Sequence, residues 1–222
     1  MFIKKLILLL MIVMISFNSF AYVETDLISA TLGDEVTFGK YFIDDTGELD
    51  DLKWIVIDEE DDKILLFSKN IIDCIIYPTL ETYIENDFYN IAFDDMEKEK
   101  ILLTQSKGSI NEVYGTMIFG KSDRHVFLLT KEDVDKYFGD DTKVTYPFVL
   151  GVGTKYAYSK GLSKIRLNDT LDIYTSSYWI EGAGAEEDFR QVVSYNGKVL
   201  IDGYYNLRTD CGFRPAIWVK RY

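Results

Sequence analysis

The chain offers few of the side chains that carry hydrolytic or metal chemistry. Its only histidine, His125, stands at the start of an apolar segment, and nothing in the neighbouring sequence supplies a catalytic triad. One histidine and two cysteines are also fewer than the usual nitrogen and sulfur ligand set of a zinc site. We therefore interpret His125 as a residue at the end of a strand, and we predict no metal ligands.

Acidic side chains are plentiful, and two kinds of chemistry could use them. Acidic runs occur at 44–45, 58–62 and 140–141, but none has the Asp-x-Asp-x-Asp-Gly spacing of a calcium loop. Calcium is thus the one cofactor that the composition leaves open, and solvated turns are the simpler interpretation. Four late carboxylates could pair as acid and base across a sugar, or could line a solvated loop: Glu181, Glu186, Glu187 and Asp188.

The two cysteines, Cys74 and Cys211, allow either a disulfide or two buried thiols. A bridge would close a long loop and would stabilise the fold by about 4 kcal/mol in the chain-entropy description. The sequence leaves both alternatives open, because it does not give the distance between the two Cα atoms.

Aromatic residues beside the late loops are the best candidates for ligand contacts. Exposed aromatic faces stack on sugar rings or anchor protein interfaces. Four such residues flank these loops: Tyr178, Trp179, Tyr204 and Tyr205. Together with Glu181 they form the predicted ligand-binding set. For Trp179, a place in the core is the alternative.

Three other residues are expected to have structural roles. Trp54 and Trp218 lie in strongly apolar runs, which favours the core. Arg214 also has apolar neighbours, so we expect its guanidinium to hold a hydrogen-bond or ion-pair network beneath the last hairpin.

The predicted site residues depend on the C-terminal region, residues 188–219, for their positions. Asn196 and Gly197 separate two runs rich in β-branched and aromatic residues. Asn-Gly favours the two positive φ angles of a type I′ turn, so a hairpin with that turn is predicted. A second turn follows at 210–212, and 213–219 predicts a closing strand.

Earlier in the chain, hairpins precede helices. Apolar runs predict strands at 36–42, with Gly39 as a bend, and a hairpin at 54–57 and 64–67. Residues 104–124 lack a clear period and predict a long loop, as do residues 181–186.

Two or three helices are predicted in the middle of the chain. The first covers 79–92, with Thr79 as N-cap, and its apolar face is formed by Leu80, Ile84, Phe88 and Ile91. Asp94 and Thr130 begin capping-box patterns of two shorter helices, the second ending at a left-handed Gly139. A further helix within 146–159 is an open alternative. Early strands, middle helices and late strands indicate the α+β class.

The first 21 residues predict a secretory signal peptide. Lys4 and Lys5 precede an apolar core at 6–15, and Ser19-Phe20-Ala21 forms a small-x-small cleavage motif. An uncleaved anchor is the alternative, although this run is shorter than the ~20 residues of a spanning helix. Residues 22–222 are predicted to be one domain that is secreted, periplasmic or on the cell surface.

The charge of the chain excludes one class of partner. The formal net charge is −13, and removing Lys4 and Lys5 lowers it to −15. An acidic surface repels phosphate backbones, so we expect no nucleic-acid partner. We expect no membrane contact beyond the signal segment, and the oligomeric state is left open.

The order of motifs resembles a bacterial family of exported domains of unknown function. That family ends in Gly-Val-Arg-Pro-Ala-Leu-Trp, and 212–218 of this chain reads Gly-Phe-Arg-Pro-Ala-Ile-Trp. Residues 52–58 are similar to the family's early Trp-bearing strand, and 64–69 to its returning strand. Residues 86–93 and 123–138 are similar to its helical segments.

This resemblance implies a C-type-lectin-like α+β domain, a fold shared with formylglycine-generating enzymes. The chain departs from the hallmark Trp-Trp-Leu-Arg-Ser-Pro-Gly, because 177–182 reads Ser-Tyr-Trp-Ile-Glu-Gly and places Glu181 where the family has Arg. Cys211 precedes the Gly-Phe-Arg motif instead of following it, so the resemblance does not carry the oxidase chemistry over to this chain.

Two functions remain in competition. An exported binding module would take a glycan, a cell-wall component or a protein surface at the loops 104–124 and 181–188. The alternative is an enzyme on the same scaffold, either a formylglycine-generating-type oxidase using Cys211 or a carboxylate-dependent glycan hydrolase. Because no catalytic set is evident in the spacing, we favour binding without catalysis. A surface domain without a small ligand is the third option.

Overall fold

The computed structural model describes residues 26–105, 108–119, 123–139, 148–167 and 172–222. The predicted signal peptide and the acidic run at 140–141 lie outside the described residues, as does the start of the helix predicted within 146–159. The described chain combines short helices with mainly antiparallel strands, so the α+β class is confirmed. None of the described helices is long and apolar enough to cross a membrane.

The elements are numbered in chain order. The strands are β1 (Glu35–Phe42), β2 (Leu49–Glu60), β3 (Lys63–Ser68), β4 (Asp73–Cys74), β5 (Gly108–Asn111), β6 (Thr116–Phe119), β7 (Ile165–Arg166), β8 (Tyr174–Thr175), β9 (Tyr178–Ala183), β10 (Phe189–Val193), β11 (Val199–Tyr205), β12 (Gly212–Phe213) and β13 (Ala216–Lys220). The helices are α1 (Tyr77–Tyr83), α2 (Tyr89–Ala92), α3 (Asp95–Lys100), α4 (Lys131–Phe138) and α5 (Lys155–Ser159), and a π-helical turn (Ile84–Phe88) joins α1 to α2.

The first sheet has the order β1-β2-β3-β13, and all neighbouring strands in it are antiparallel. The hairpin predicted at 54–57 and 64–67 is confirmed as β2 and β3. Gly39 bends β1 with a φ of 74°, where the pairing register with β2 shifts. A Cβ at this position would lie 2.6 Å from the carbonyl oxygen of Ala92, so only glycine allows the helical segment to approach β1 this closely.

The second sheet has the order β11-β10-β9-β12-β4, with β12 parallel to β9. The closing strand predicted at 213–219 is therefore divided between two sheets, because Phe213 ends β12 and Ala216 begins β13. Arg214 and Pro215 form the crossing. Proline has no backbone N–H to donate to a continuous ladder, which suits it to the break.

Alternate residues of both sheets face two separate core clusters. In β2, Trp54 and Val56 enter one cluster, whereas Ile55 and Ile57 enter the other. Trp179 of β9 lies in the cluster of Trp54. Because the central strands are buried on both faces, their sequences are continuous apolar runs and do not alternate with polar residues.

The first helical segment differs from its predicted pattern at both ends. Its N-cap is Ile76, with Pro78 in the first turn, and Thr79 lies inside the helix. The π-helical turn inserts an additional residue, which rotates the buried face along the chain. Ala92 is therefore buried, and Ile91, predicted on the apolar face, is 39% exposed.

Both predicted capping boxes are confirmed. The Asp94 side chain accepts from the Glu97 backbone N–H, and the Glu97 carboxylate accepts from the Asp94 backbone N–H. Thr130 and Asp133 make the same reciprocal bonds at the start of α4. These bonds satisfy N–H groups that have no partner within the helix. Gly139 has a φ of −68°, so its predicted left-handed conformation is wrong.

Two predicted loops contain strands. Residues 104–124 include the hairpin of β5 and β6, which the sequence does not reveal because its outward side chains are apolar. Strand β9 continues to Ala183, so Glu181 lies in a strand and not in a flexible loop.

The predicted C-terminal hairpin is confirmed as β10 and β11, but its turn is of another type. No described non-glycine residue has a positive φ, so Asn196 cannot take the type I′ geometry, whereas Gly197 has a φ of 83°. The Gly197 N–H donates to the Ser194 carbonyl at 2.8 Å, and the Ser194 N–H donates to the Lys198 carbonyl at 2.8 Å. This pattern fits a longer turn closed by a glycine bulge.

Candidate functional site

A cleft of about 430 Å³ opens where β3 and β13 meet α4 and the extended segment before it. Its lining includes Thr104, Gln105 and Gly108, together with Glu181 of β9. The other lining residues come from the sheet face, from α4 and its N-cap, and from the segment that precedes them: Leu65, Trp218, Thr130, Glu132, Asp133, Tyr137, Arg124, Phe127 and Leu128.

The sheet supplies an apolar floor. Trp218 and Leu65 are direct cross-strand partners on β13 and β3, so their side chains lie beside each other on the same face. Trp218 is only half-buried, and the Lys63 ammonium lies 4.7 Å from its ring centroid. The indole therefore offers partly exposed aromatic surface to the cleft.

The helix supplies a fixed aromatic wall. The Tyr137 hydroxyl donates to Asp58 Oδ2 at 3.0 Å, and Lys136 Nζ donates to the same oxygen at 2.8 Å. Burial raises the pKa of Tyr137 to about 12. Burial opposes ionisation of Asp58, but the hydrogen bonds from Lys136 and Tyr137 hold the pKa of its carboxyl below the ordinary value. The ring is thus anchored by its hydroxyl in the neutral form.

Arg124 brings a cation to the wall opposite α4. Arg124 is 8% exposed, and its backbone forms two hydrogen bonds with that of Thr104, at 2.7 and 2.9 Å. Within the described parts of the chain, no carboxylate forms an ion pair with the guanidinium. A nearly buried cation without such a partner can donate to a ligand that enters the cleft.

The remaining polar groups of the cleft differ in their contacts and in their exposure. The side chains of Thr130 and Asp133 are engaged in the capping box of α4. The backbone N–H of Glu181 donates to the Leu129 carbonyl at 2.9 Å, which joins β9 to the segment before α4 and fixes where the Glu181 side chain begins. Gln105 and Glu132 are exposed at the rim.

The structure corrects the predicted ligand-binding role of Tyr178 and Trp179. Tyr178 is 1% exposed and Trp179 is fully buried. The Trp179 indole N–H donates to the Ile75 carbonyl at 3.0 Å, and the Tyr178 hydroxyl donates to the Val149 carbonyl at 2.9 Å. Strand β9 is covered on both faces, so neither ring can stack on a ligand at the surface.

Tyr204 and Tyr205 lie on β11, at the far edge of the second sheet, and neither lines the cleft. The Arg208 guanidinium covers the half-buried ring of Tyr204 at 4.3 Å. Tyr205 is 48% exposed and packs beside Phe189. Of the five residues in the predicted ligand-binding set, Glu181 is the one that the structure brings to the cleft.

The three residues with expected structural roles fall into two groups. Trp54 is fully buried, and its indole N–H donates to the Phe38 carbonyl at 2.7 Å. Arg214 is also buried, stacked on Phe67 at 4.1 Å. Trp218 differs in part, because its half-buried indole packs against the core cluster of Ile55 and Ile57 and also lines the cleft.

The Arg214 network is made of backbone carbonyls instead of carboxylates. The guanidinium donates to Ser68 O at 2.9 Å, Lys69 O at 3.2 Å, Leu150 O at 3.3 Å and Val149 O at 3.5 Å. Burial lowers its pKa from the ordinary value. One side chain thereby ties the end of β3 to the segment 148–150.

The cysteines are both free thiols, and the register separates them. Cys74 pairs with Gly212, not with Cys211, and the two side chains belong to different core clusters. Cys74 Sγ lies within donating distance of two backbone carbonyls, 3.1 Å from that of Thr209 and 3.4 Å from that of Cys211. Burial raises the pKa of Cys74 to about 12 and raises that of Cys211 well above its ordinary value. Neither thiol has the exposed, low-pKa environment of a reactive cysteine.

His125 sits outside the cleft lining and is held from both sides. Its Nδ1 lies 3.1 Å from Glu85 Oε2, and its ring stacks on Tyr89 at 4.6 Å. The same glutamate accepts from the backbone N–H groups of His125 and Val126. The surrounding residues form an extended segment with isolated bridges from Arg124 to Thr104 and from Phe127 to Ala216, not a regular strand.

Among the described residues, no three His, Cys, Asp or Glu side chains converge into a set that could hold a metal ion. The late acidic residues Glu186, Glu187 and Asp188 are exposed and do not join Glu181 at the cleft.

Sequence reasoning missed Arg124, Tyr137 and Trp218. For Trp218 a signal existed, because the alternation of a strand places it on the opposite face from Ile217 and Val219. For Arg124 and Tyr137 the convergence depends on the docking of α4 against the first sheet, which no local pattern encodes.

The model of one protein family, Domain of unknown function (DUF6273), matches residues 62–221. The match begins just before β3 and includes every residue that lines the cleft. No curated protein and no solved structure matches the chain.

Proposed function

We propose that this chain, which belongs to the DUF6273 family of domains of unknown function, is an exported binding module that takes a carbohydrate in the cleft. The proposal includes a C-type-lectin-like arrangement of its α+β domain and a secreted, periplasmic or surface location, for which the N-terminal signal-peptide pattern is the support.

The half-buried indole of Trp218 within a polar-rimmed cleft is the observation that carries this proposal. A sugar has an apolar face of C–H groups, which stacks on aromatic rings, and an edge of hydroxyls that both donate and accept hydrogen bonds. The cleft supplies donors in Arg124 and Gln105 and acceptors in Glu132 and Glu181. A volume of about 430 Å³ lies within the ~300–1,000 Å³ of small-molecule sites.

Binding without catalysis is better supported than either enzymatic alternative. The oxidase would need an accessible thiolate, whereas Cys211 is fully buried and its pKa is raised. The glycan hydrolase would need two opposed carboxyl groups across the sugar. Glu132 and Glu181 both line the cleft, but Glu132 is exposed at the rim. Asp133 is engaged in its capping box, and Glu186 to Asp188 lie elsewhere on the surface.

The experiment is a screen of the purified protein on an array of glycans and cell-wall fragments, with and without calcium. Trp218→Ala and Arg124→Gln should abolish a hit, because they remove the stacking surface and the buried donor. Tyr205→Ala is the matched control, since this aromatic residue is exposed away from the cleft. A hit that Tyr205→Ala removes and Trp218→Ala leaves intact would place the site elsewhere and overturn the proposal.

A further inference from the structure

The hairpin of β5 and β6 has the opposite polarity to an ordinary surface hairpin. At its turn end, a polar pair points to the protein and an apolar pair points to solvent. Asn111 and Thr116 are direct cross-strand partners on the inner face, and Ile110 and Met117 are partners on the outer face. Asn111 is 4% exposed, whereas Ile110 is 68% and Met117 53% exposed.

The inner face is clamped by hydrogen bonds. Asn111 Nδ2 donates to the Ile201 carbonyl at 2.6 Å and to the Ala183 carbonyl at 2.9 Å. The Thr116 hydroxyl donates to the Gly184 carbonyl. These contacts fix the hairpin on the edge of the second sheet, so its outer face is held in one orientation.

The outer face continues through the turn. Val113 is 69% exposed and Tyr114 is 47% exposed, and both belong to the connection between β5 and β6. We call the outer apolar set the hairpin patch, defined as Ile110, Val113, Tyr114 and Met117. Burying apolar side chains against the core stabilises a fold, and none of these four contributes in that way.

Carboxylates surround the turn end of this patch. Met117, Glu186 and Glu187 line one shared cavity of about 260 Å³. Glu112 is exposed within the turn itself. Exposed Asp202 follows Ile201, whose carbonyl accepts from Asn111.

The described cation beside that cavity is already engaged. Arg190 lines it, and its guanidinium donates to the Glu187 carbonyl at 2.6 Å while lying over the Tyr77 ring. The four carboxylates at the turn end, the acidic rim of the patch, therefore outnumber the described cation that lines the cavity.

We propose that the hairpin patch is a docking surface for a basic amphipathic segment of a partner protein. An apolar patch containing a methionine, with acidic residues around it, complements a segment that presents aliphatic side chains flanked by Lys or Arg. The apolar contacts provide affinity, and the carboxylates select for positive charge and accelerate association.

The carboxylates around the hairpin patch disfavour two other partners, a second copy of this chain and an anionic membrane. A second copy across a two-fold axis would bring two acidic rims together on chains of net charge −13. An anionic lipid surface would be repelled by the rim. The inference goes beyond carbohydrate binding, because none of the four patch residues lines the cleft.

The test titrates the purified protein into a fluorescent amphipathic helical peptide of Leu and Lys, about 18 residues long, and measures anisotropy. The matching peptide with Glu in place of Lys is the charge control. Ile110→Ser with Met117→Ser removes the centre of the patch. Ile28→Ser with Met96→Ser is the matched control, because these residues are 61% and 74% exposed elsewhere.

We expect the Lys peptide to bind, the patch variant to weaken its Kd roughly tenfold or more, and the matched control to leave it unchanged. Added salt should weaken binding, since the rim acts through exposed charges. Circular dichroism should show both double variants folded. Absence of binding, equal binding of the Glu peptide, or equal binding by the patch variant would overturn the proposal. So would patch-dependent dimers in sedimentation, or patch-dependent binding to anionic vesicles.

Discussion

Replacing Arg214 by Met removes a fully buried cation and keeps much of its volume. The guanidinium is the donor to four backbone carbonyls, of which Ser68 O at 2.9 Å and Lys69 O at 3.2 Å are the best made. A buried acceptor that loses its donor costs about 1–3 kcal/mol. The two best-made bonds therefore set the scale of the loss, and removing a buried cation recovers part of it as desolvation free energy.

We therefore expect the free energy of unfolding to fall by about 2–4 kcal/mol in Arg214→Met. For a domain of this size about 1 kcal/mol corresponds to 2–4 °C, so Tm should fall by roughly 4–16 °C. Arg214→Lys should also destabilise strongly, because one ammonium cannot reproduce the planar fork that reaches both Ser68 and Lys69.

The assay is urea unfolding followed by tryptophan fluorescence. Arg208→Met is the matched control, since Arg208 is exposed and its Nη2 pairs with Asp210 Oδ2 at 3.0 Å. An exposed pair contributes about 0–1 kcal/mol. If Arg214→Met lies within about 1 kcal/mol of the unchanged protein, the carbonyl network does not hold the end of β3 to the segment 148–150.

Three other outcomes follow from the same contacts. Trp179→Ala should lose about 3–5 kcal/mol of stability in urea unfolding, and Trp218→Ala clearly less, because only Trp179 is fully buried; equal losses would contradict their placement. The pKa of Asp58 is lowered in the folded state. Its contribution to the free energy of unfolding is therefore present above the unfolded pKa and is lost as pH falls through the folded pKa. Asp58→Asn should flatten the acid side of the curve of stability against pH. Native protein should resist a thiol reagent, and both Cys74 and Cys211 should react in urea, since both are buried thiols of raised pKa; an intact disulfide in the mass spectrum would contradict this.

Local signals predict much of the fold. The capping boxes at Asp94 and Thr130 need only residues three apart, and the hairpin of β2 and β3 needs only two apolar runs with a charged turn. The C-terminal hairpin is predicted as well, but its turn type is not. The π-helical turn and the division of the last strand at Pro215 are not predicted from the sequence, because they depend on packing between distant elements.

The site is less accessible from the sequence. The sequence leaves Trp179 open between the ligand-binding surface and the core, and the structure buries it fully. It predicts Trp218 in the core, whereas the half-buried indole packs against one core cluster and also lines the cleft. Strand alternation is ambiguous where a sheet is buried on both faces, because both sets of alternate residues are then apolar. Arg124 and Glu181 meet at the cleft although 57 positions separate them in the sequence.

The chain contains three tryptophans, and their indole N–H signals in an NMR spectrum test the central claim most directly. Two of these groups are buried and bonded, Trp54 to Phe38 O and Trp179 to Ile75 O, whereas Trp218 lies at the cleft. A carbohydrate ligand from the array, titrated into ¹⁵N-labelled protein, should shift the signal that disappears in Trp218→Phe and leave the other two in place. If binding saturates while that signal stays unmoved, the cleft is not the carbohydrate site.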